Sequence, residues 1–191
     1  LRFDPLLPES IESALTEREG MDPDAAAMLA RMADGSYSRA LDLVENEDLM
    51  TSRELVLEYF RAAYSQKVEA ISSCVQEIKG QGRERVKSVL RLMLRWVRDL
   101  VLYRSMGEDA PLVNVDQAEA VARFCNNLPE ADLEGMVGLV EEALHLTERN
   151  VRTQLVLTAL AQALAQTMRG RAVESLYVPL PDAERRAVQT N

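Results

Sequence analysis

The stretch Arg83-Glu84-Arg85-Val86-Lys87-Ser88-Val89-Leu90-Arg91-Leu92-Met93-Leu94-Arg95-Trp96-Val97-Arg98-Asp99-Leu100-Val101-Leu102-Tyr103-Arg104-Ser105 decides the fold class. Val86, Val89, Leu90, Met93, Trp96, Val97, Leu100 and Val101 recur at the i, i+3, i+4, i+7 spacing that puts one apolar face on a helix. Glu84, Lys87, Ser88, Arg91, Arg95, Arg98 and Asp99 largely share the other side, which predicts a solvated outer face. Gly80-Gln81-Gly82 breaks the chain ahead of this helix, the longest the sequence predicts.

The same period extends in both directions. Thr51 to Tyr64 carries Leu55, Val56, Tyr59, Phe60 and Ala63, and Lys67 to Lys79 carries Val68, Ile71, Val75 and Ile78. Downstream, Gly107 to Asn114 reads as a loop and Asp116 to Phe124 as a helix. A further helix after Pro129 carries Leu133, Met136, Leu139, Val140 and Leu144. Arg152 to Met168 is apolar on nearly every side, so it is predicted to be central to its bundle. The first fifty residues hold three shorter helices. Pro8 opens one that ends near Gly20; Asp22 caps the second, with Pro23 in its first turn and Gly35 beyond its end; the third runs from about Ser36 to Glu45. No strand-like alternation persists, and the class is all-α. The acidic run Glu45-Asn46-Glu47-Asp48 is the natural boundary. It divides the chain into a three-helix unit (1–47), a helical bundle (48–170) and a C-terminal tail (171–191) that begins ordered and then frays.

Composition narrows the function. The chain has 191 residues, 47% of them hydrophobic and 28% charged, with 5% aromatic and a net charge of −9. That charge argues against wrapping nucleic acid, since phosphate binding relies on clustered Lys and Arg. The stripe Arg83, Arg85, Lys87, Arg91, Arg95, Arg98 and Arg104 spreads around more than half the helix circumference without exposed aromatics between, so a solvated face is the better reading than a direct nucleic-acid contact. Cys74 and Cys125 lie far apart with no CxxC partner, as expected of reduced, buried thiols in a cytoplasmic protein. The uncharged run Thr153 to Met168 contains three Gln and is shorter than the ~20 residues a membrane span needs. Leu1 in place of an initiating Met implies a segment upstream.

Candidates for chemistry are few. His145 is the single histidine, flanked by Leu144 and Leu146, and reads as a half-buried structural residue with no second ligand nearby for a metal. No GxxxxGK[ST] phosphate loop, GxSxG or HExxH occurs. No catalytic residue, cofactor or metal is expected.

Two sets of residues carry a family resemblance. Leu1-Arg2-Phe3-Asp4-Pro5-Leu6, the helices that follow, and Ala33-Asp34-Gly35-Ser36-Tyr37-Ser38-Arg39-Ala40-Leu41 resemble the three-helix lid of AAA+ clamp-loader subunits. Trp96-Val97-Arg98-Asp99-Leu100, then Leu112-Val113-Asn114, then Asn150-Val151 ahead of a Leu-rich helix, is similar to the collar domain of bacterial DNA polymerase III delta-prime and gamma/tau subunits. The resemblance spans about residues 1–170 and implies an ATPase-type domain upstream of Leu1. In ATP-hydrolysing relatives the lid motif reads Gly-Ser-x-Arg-x-Ala-Leu, its Arg reaching the nucleotide phosphates. Here Ser38 occupies that place and Arg39 follows, one helical step of ~100° away. The degenerate motif Gly35, Ser36, Ser38, Arg39 therefore implies no nucleotide binding and a delta-prime-type stator more than a gamma/tau-type subunit. An unrelated helical scaffold is the alternative from another class. The resemblance further implies a non-enzymatic part of a DNA-directed DNA polymerase assembly, joined to gamma/tau and delta subunits through the collar. The acidic chain is expected to be a monomer when isolated.

Overall fold

A computed structural model describes residues 5–44, 48–80 and 82–177. Among them the chain is helical with no strand. Three helices come first: α1 (Pro8–Glu19), α2 (Pro23–Met32) and α3 (Tyr37–Val44). Six more follow: α4 (Asp48–Ser65), α5 (Val68–Gly80), α6 (Arg83–Met106), α7 (Ala118–Asn127), α8 (Leu133–Glu148) and α9 (Thr153–Thr167). The α6–α7 connection contains two 3-10 turns, Gly107–Asp109 and Val115–Gln117. The helix expected from Asp116 thus begins at Ala118, after a 3-10 turn.

Local chemistry fixes the ends. Pro8 and Pro23 occupy first turns, where a missing N–H costs nothing. The Asp22 carboxylate accepts from the Asp24 and Ala25 amides, and Asp132 accepts from the Gly135 amide. Gly20, in the left-handed region, closes α1.

In the larger bundle, α6 packs on α4, α5, α7 and α8, while α9 packs on α4, α5 and α8. The expectation for the Arg152–Met168 segment holds: Val156, Leu157, Leu160, Ala161, Leu164 and Ala165 are all buried. Tyr59 of α4 is fully buried, and its hydroxyl donates to the Leu157 carbonyl of α9. Burial pushes that phenol well above its usual range. α1, α2 and α3 form the smaller unit around Ile11, Leu15, Met28 and Met32, and its core is continuous with that of the bundle. α2 rests on the Val115–Gln117 turn. The boundary residues 45–47 lie outside the described residues.

Of the tail, Ser175 donates to Glu142 Oε1 (2.6 Å) and the Leu176 amide to Oε2 (2.7 Å), tying residues 175–176 to α8. Residues 178–191, including the Pro179-Leu180-Pro181 segment, lie outside the described part. No helix of the described residues is long and apolar enough to cross a membrane.

Candidate assembly site

The lid-like motif closes on itself. The Leu6 amide donates to the Gly35 carbonyl (2.9 Å), so the two halves of the motif meet. Gly35 has φ +80°, and a Cβ there would overlap Pro5 Cβ, so both the backbone conformation and the close approach require glycine. Ser36 Oγ accepts from the Arg39 amide (3.3 Å), starting α3. Ser38 is exposed, and Arg39 Nη1 lies 2.9 Å from Asp34 Oδ2, an exposed ion pair. Arg39 is thus held beside the helix that precedes it.

Two residues from the second motif meet in a buried polar cluster. Asp99 is 0% exposed, Arg53 3% and Asn114 5%. Asp99 accepts from the Val113 amide (2.9 Å), the Asn114 amide (2.8 Å) and Asn114 Nδ2 (2.7 Å). Asn114 Oδ1 accepts from Arg53 Nε (3.3 Å) and Nη2 (3.0 Å), and Arg53 grips Asp116 with Nη1 at 2.8 Å and Nη2 at 2.7 Å. Asp99 therefore does not belong to the outer face. The α6–α7 connection folds back over that side of α6 and makes a second interior there, and three donors allow a carboxylate to be buried in it.

The basic stripe of α6 is likewise not a continuous solvated face. Arg95 Nη2 lies 3.5 Å from the Met32 carbonyl and 3.8 Å from Asp34; burial holds its guanidinium below the usual range, and Asp34 counters that shift. Arg98 pairs with Glu141 of α8 (3.2 Å) and Lys87 with Glu84 (2.8 Å). Arg104 donates to the Ala131 (2.5 Å) and Leu128 (2.8 Å) carbonyls. Arg95, Arg98 and Arg104 thus fasten neighbouring elements to α6, whereas Lys87 pairs within the helix.

His145 is exposed, not half-buried, because the turn of α8 that carries it faces outward between Leu144 and Leu146. Cys74 and Cys125 are both buried and unpaired, and burial pushes both thiols up. No group of His, Cys, Asp and Glu able to hold a metal occurs among the described residues.

What the surface offers instead is apolar relief. A groove of about 380 Å³ runs between α4, α6 and α7 to the end of α9. Leu57, Phe60, Tyr64, Trp96, Phe124, Leu128 and Met168 line it, with Arg61 and Arg123 among the lining residues. Trp96 stacks at a tilt on Phe60 (centroids 4.8 Å apart) and meets Phe124 edge-on (5.4 Å). Of the apolar residues on α7 and at its C-cap, Val121 is fully buried, whereas Phe124 and Leu128 are half-buried on the groove. A second recess of about 350 Å³ lies between α6 and α8, where Val101, Leu102 and Val137 sit with Arg98 and Glu134.

The family model described as DNA polymerase III, delta subunit, C terminal, matches residues 47–166, the segment that holds the polar cluster and most of both recesses. The chain belongs to this family. It is a clamp-loader family, and its domain is a scaffold with no catalytic role. Its members' helical domain corresponds here to α4 through nearly all of α9, so both recesses lie on the part that the family shares. Neither the comparison with curated proteins nor the comparison with solved structures gave a match.

Proposed function

We propose that this chain is the lid and collar of a delta-prime-type clamp-loader subunit, which joins the loader ring without hydrolysing ATP. The observation that carries the delta-prime reading is the fate of the lid arginine. Ser38 stands where ATP-hydrolysing relatives place their phosphate-binding Arg, and Arg39 is turned to Asp34 at the start of α3. Loss of that cation removes a charge that would stabilise bound phosphates.

Residues 1–47 act as the lid, residues 48–170 as the collar, and the collar carries the contacts with gamma/tau and delta subunits. Apolar relief on the bundle supports this division, because an assembly interface needs apolar or aromatic anchors left over from the internal core. The α6–α8 recess, with Val101, Leu102 and Val137 between charged neighbours, suits such a contact.

Co-purification with the other clamp-loader subunits of the same source tests the reading. The full chain is retained, and a version ending at Glu47 is not. Equal retention of the short version would overturn the collar assignment, and failure of the full chain to bind would overturn the ring assignment. Nucleotide titration of the chain by calorimetry gives no binding at millimolar ATP; measurable binding there would contradict the role given to Ser38.

A further inference from the structure

Beyond ring assembly, the α4–α6–α7 groove has the character of a ligand site. Its floor is aromatic: Trp96 packs on Phe60 and on Phe124, and of the lining rings Phe124 and Tyr64 keep surface accessible. Trp96 is 4% exposed, yet its indole Nε1 has no hydrogen-bond partner among the described residues. Buried indole N–H groups ordinarily find an acceptor, and leaving one unpaired carries a desolvation penalty. The lining also brings Arg61 and Arg123 to the groove, in a chain whose net charge is −9. Glu119 engages Arg123 from one turn earlier on α7, but no acidic residue lines the groove itself. Cations concentrated at an apolar recess on an otherwise acidic protein favour an anionic partner.

We infer that this groove docks a short acidic segment of another protein, which lays an aromatic or large aliphatic anchor against the accessible rings of Phe124 and Tyr64, over the buried Trp96 indole. The anchor covers the ring surfaces, and the flanking carboxylates of the segment meet Arg61 and Arg123. The volume of about 380 Å³ accommodates one or two side chains rather than a folded domain.

The chain has one tryptophan, so a ¹⁵N-labelled sample gives one indole N–H cross-peak that reports on the groove floor. The probe is a short synthetic peptide with Phe and Leu at i, i+3 spacing and Asp and Glu between them; the control peptide replaces each Asp and Glu by Lys. The acidic peptide moves the indole peak saturably, the Lys peptide does not, and an Arg61→Glu/Arg123→Gln double variant binds the acidic peptide on the order of tenfold more weakly. Both substitutions are at exposed positions, and an unchanged helical circular dichroism signal verifies that the variant is folded. The inference is overturned if millimolar acidic peptide leaves the indole peak in place, if the Lys peptide binds equally, or if the double variant binds as the parent does. It is also overturned if the peak moves with the concentration of the chain alone, since the occupant is then a second copy. The readout is independent of ring assembly, which co-purification tests separately.

Discussion

Truncating Asp99 to alanine takes the acceptor from three hydrogen bonds at once: those of the Val113 amide, the Asn114 amide and Asn114 Nδ2. Asn114 is buried, so its two donors lose their partner with little access to water, whereas the half-buried Val113 amide regains some. An unsatisfied buried donor costs roughly 1–3 kcal/mol. Relief of the carboxylate's own desolvation offsets part of this, which leaves a net loss of about 3 kcal/mol. For a chain of this size each kcal/mol corresponds to about 2–4 °C, so the midpoint falls by about 9 °C. Asp99→Asn retains one acceptor oxygen but turns an amide toward other donors, and loses about half as much. Urea and thermal unfolding followed at 222 nm measure both. Because Asn114 also accepts from Arg53, the Asp99→Ala and Arg53→Ala effects are non-additive, coupled by about 1 kcal/mol or more through the shared partner. An Asp99→Ala protein within about 0.5 kcal/mol of the parent, the range of an ordinary surface substitution, would refute the reasoning.

Gly35→Ala combines a positive-φ penalty with an overlap on Pro5; about 2 kcal/mol is lost, and the Leu6 amide, which donates to the Gly35 carbonyl, loses protection in hydrogen exchange. Tyr59→Phe removes the bond to the Leu157 carbonyl between α4 and α9 and costs about 1 kcal/mol in urea unfolding, with the aromatic packing retained. Burial raises both thiols above their ordinary value, so at pH 8 the native protein holds less thiolate than the unfolded chain and reacts more slowly with a disulfide reagent. Cys125 reacts faster than Cys74, because the Arg104 cation opposes the upward shift at Cys125 while Glu58 and Glu77 add to it at Cys74.

The all-α class, the order of the helices and the central place of α9 were legible because each rests on apolar periodicity and on Pro, Asp and Gly at helix ends, which are local properties. Asp99 was not. On a lone helix it falls among charged outer-face residues; only the backbone path of residues 107–117, set by tertiary packing, turns that position inward. Its one sequence signal is the pairing of Trp96-Val97-Arg98-Asp99-Leu100 with Leu112-Val113-Asn114, a pattern whose physical content is a carboxylate bonded to two successive amides. The groove was half legible. Phe124 and Leu128, near and just past the end of α7, need not face inward by periodicity, but Phe60 and Trp96 read as ordinary core, and Arg61 carries no local signal. His145 was misjudged for a related reason: apolar neighbours in sequence sit about 100° away on a helix and do not bury the residue between them.

The polar cluster is more than a local brace, because the connection it holds is the place where the two helical units touch. Asp99 fixes the Val113 and Asn114 amides of that connection, and Arg53 fixes its other side from α4. One residue before Val113, the Leu112 carbonyl accepts from Arg31 of α2, and α2 also lies against the Val115–Gln117 turn. Arg95, one turn ahead of Asp99 on α6, reaches Met32 and Asp34 at the end of the same helix. The smaller unit is therefore seated on α6 and on a loop whose position depends on a buried carboxylate of α6. Any change in how α2 sits must either break the Arg31 and Arg95 bonds or carry the loop with it, and Asp99 resists the second course. This arrangement makes the Arg31 and Arg95 contacts the weaker link between the two units. They are partly exposed bonds to carbonyl and carboxylate groups, and losing them strands no buried charge. Reorientation of the smaller unit would therefore occur between α2 and the loop, leaving the α4–α6 cluster intact.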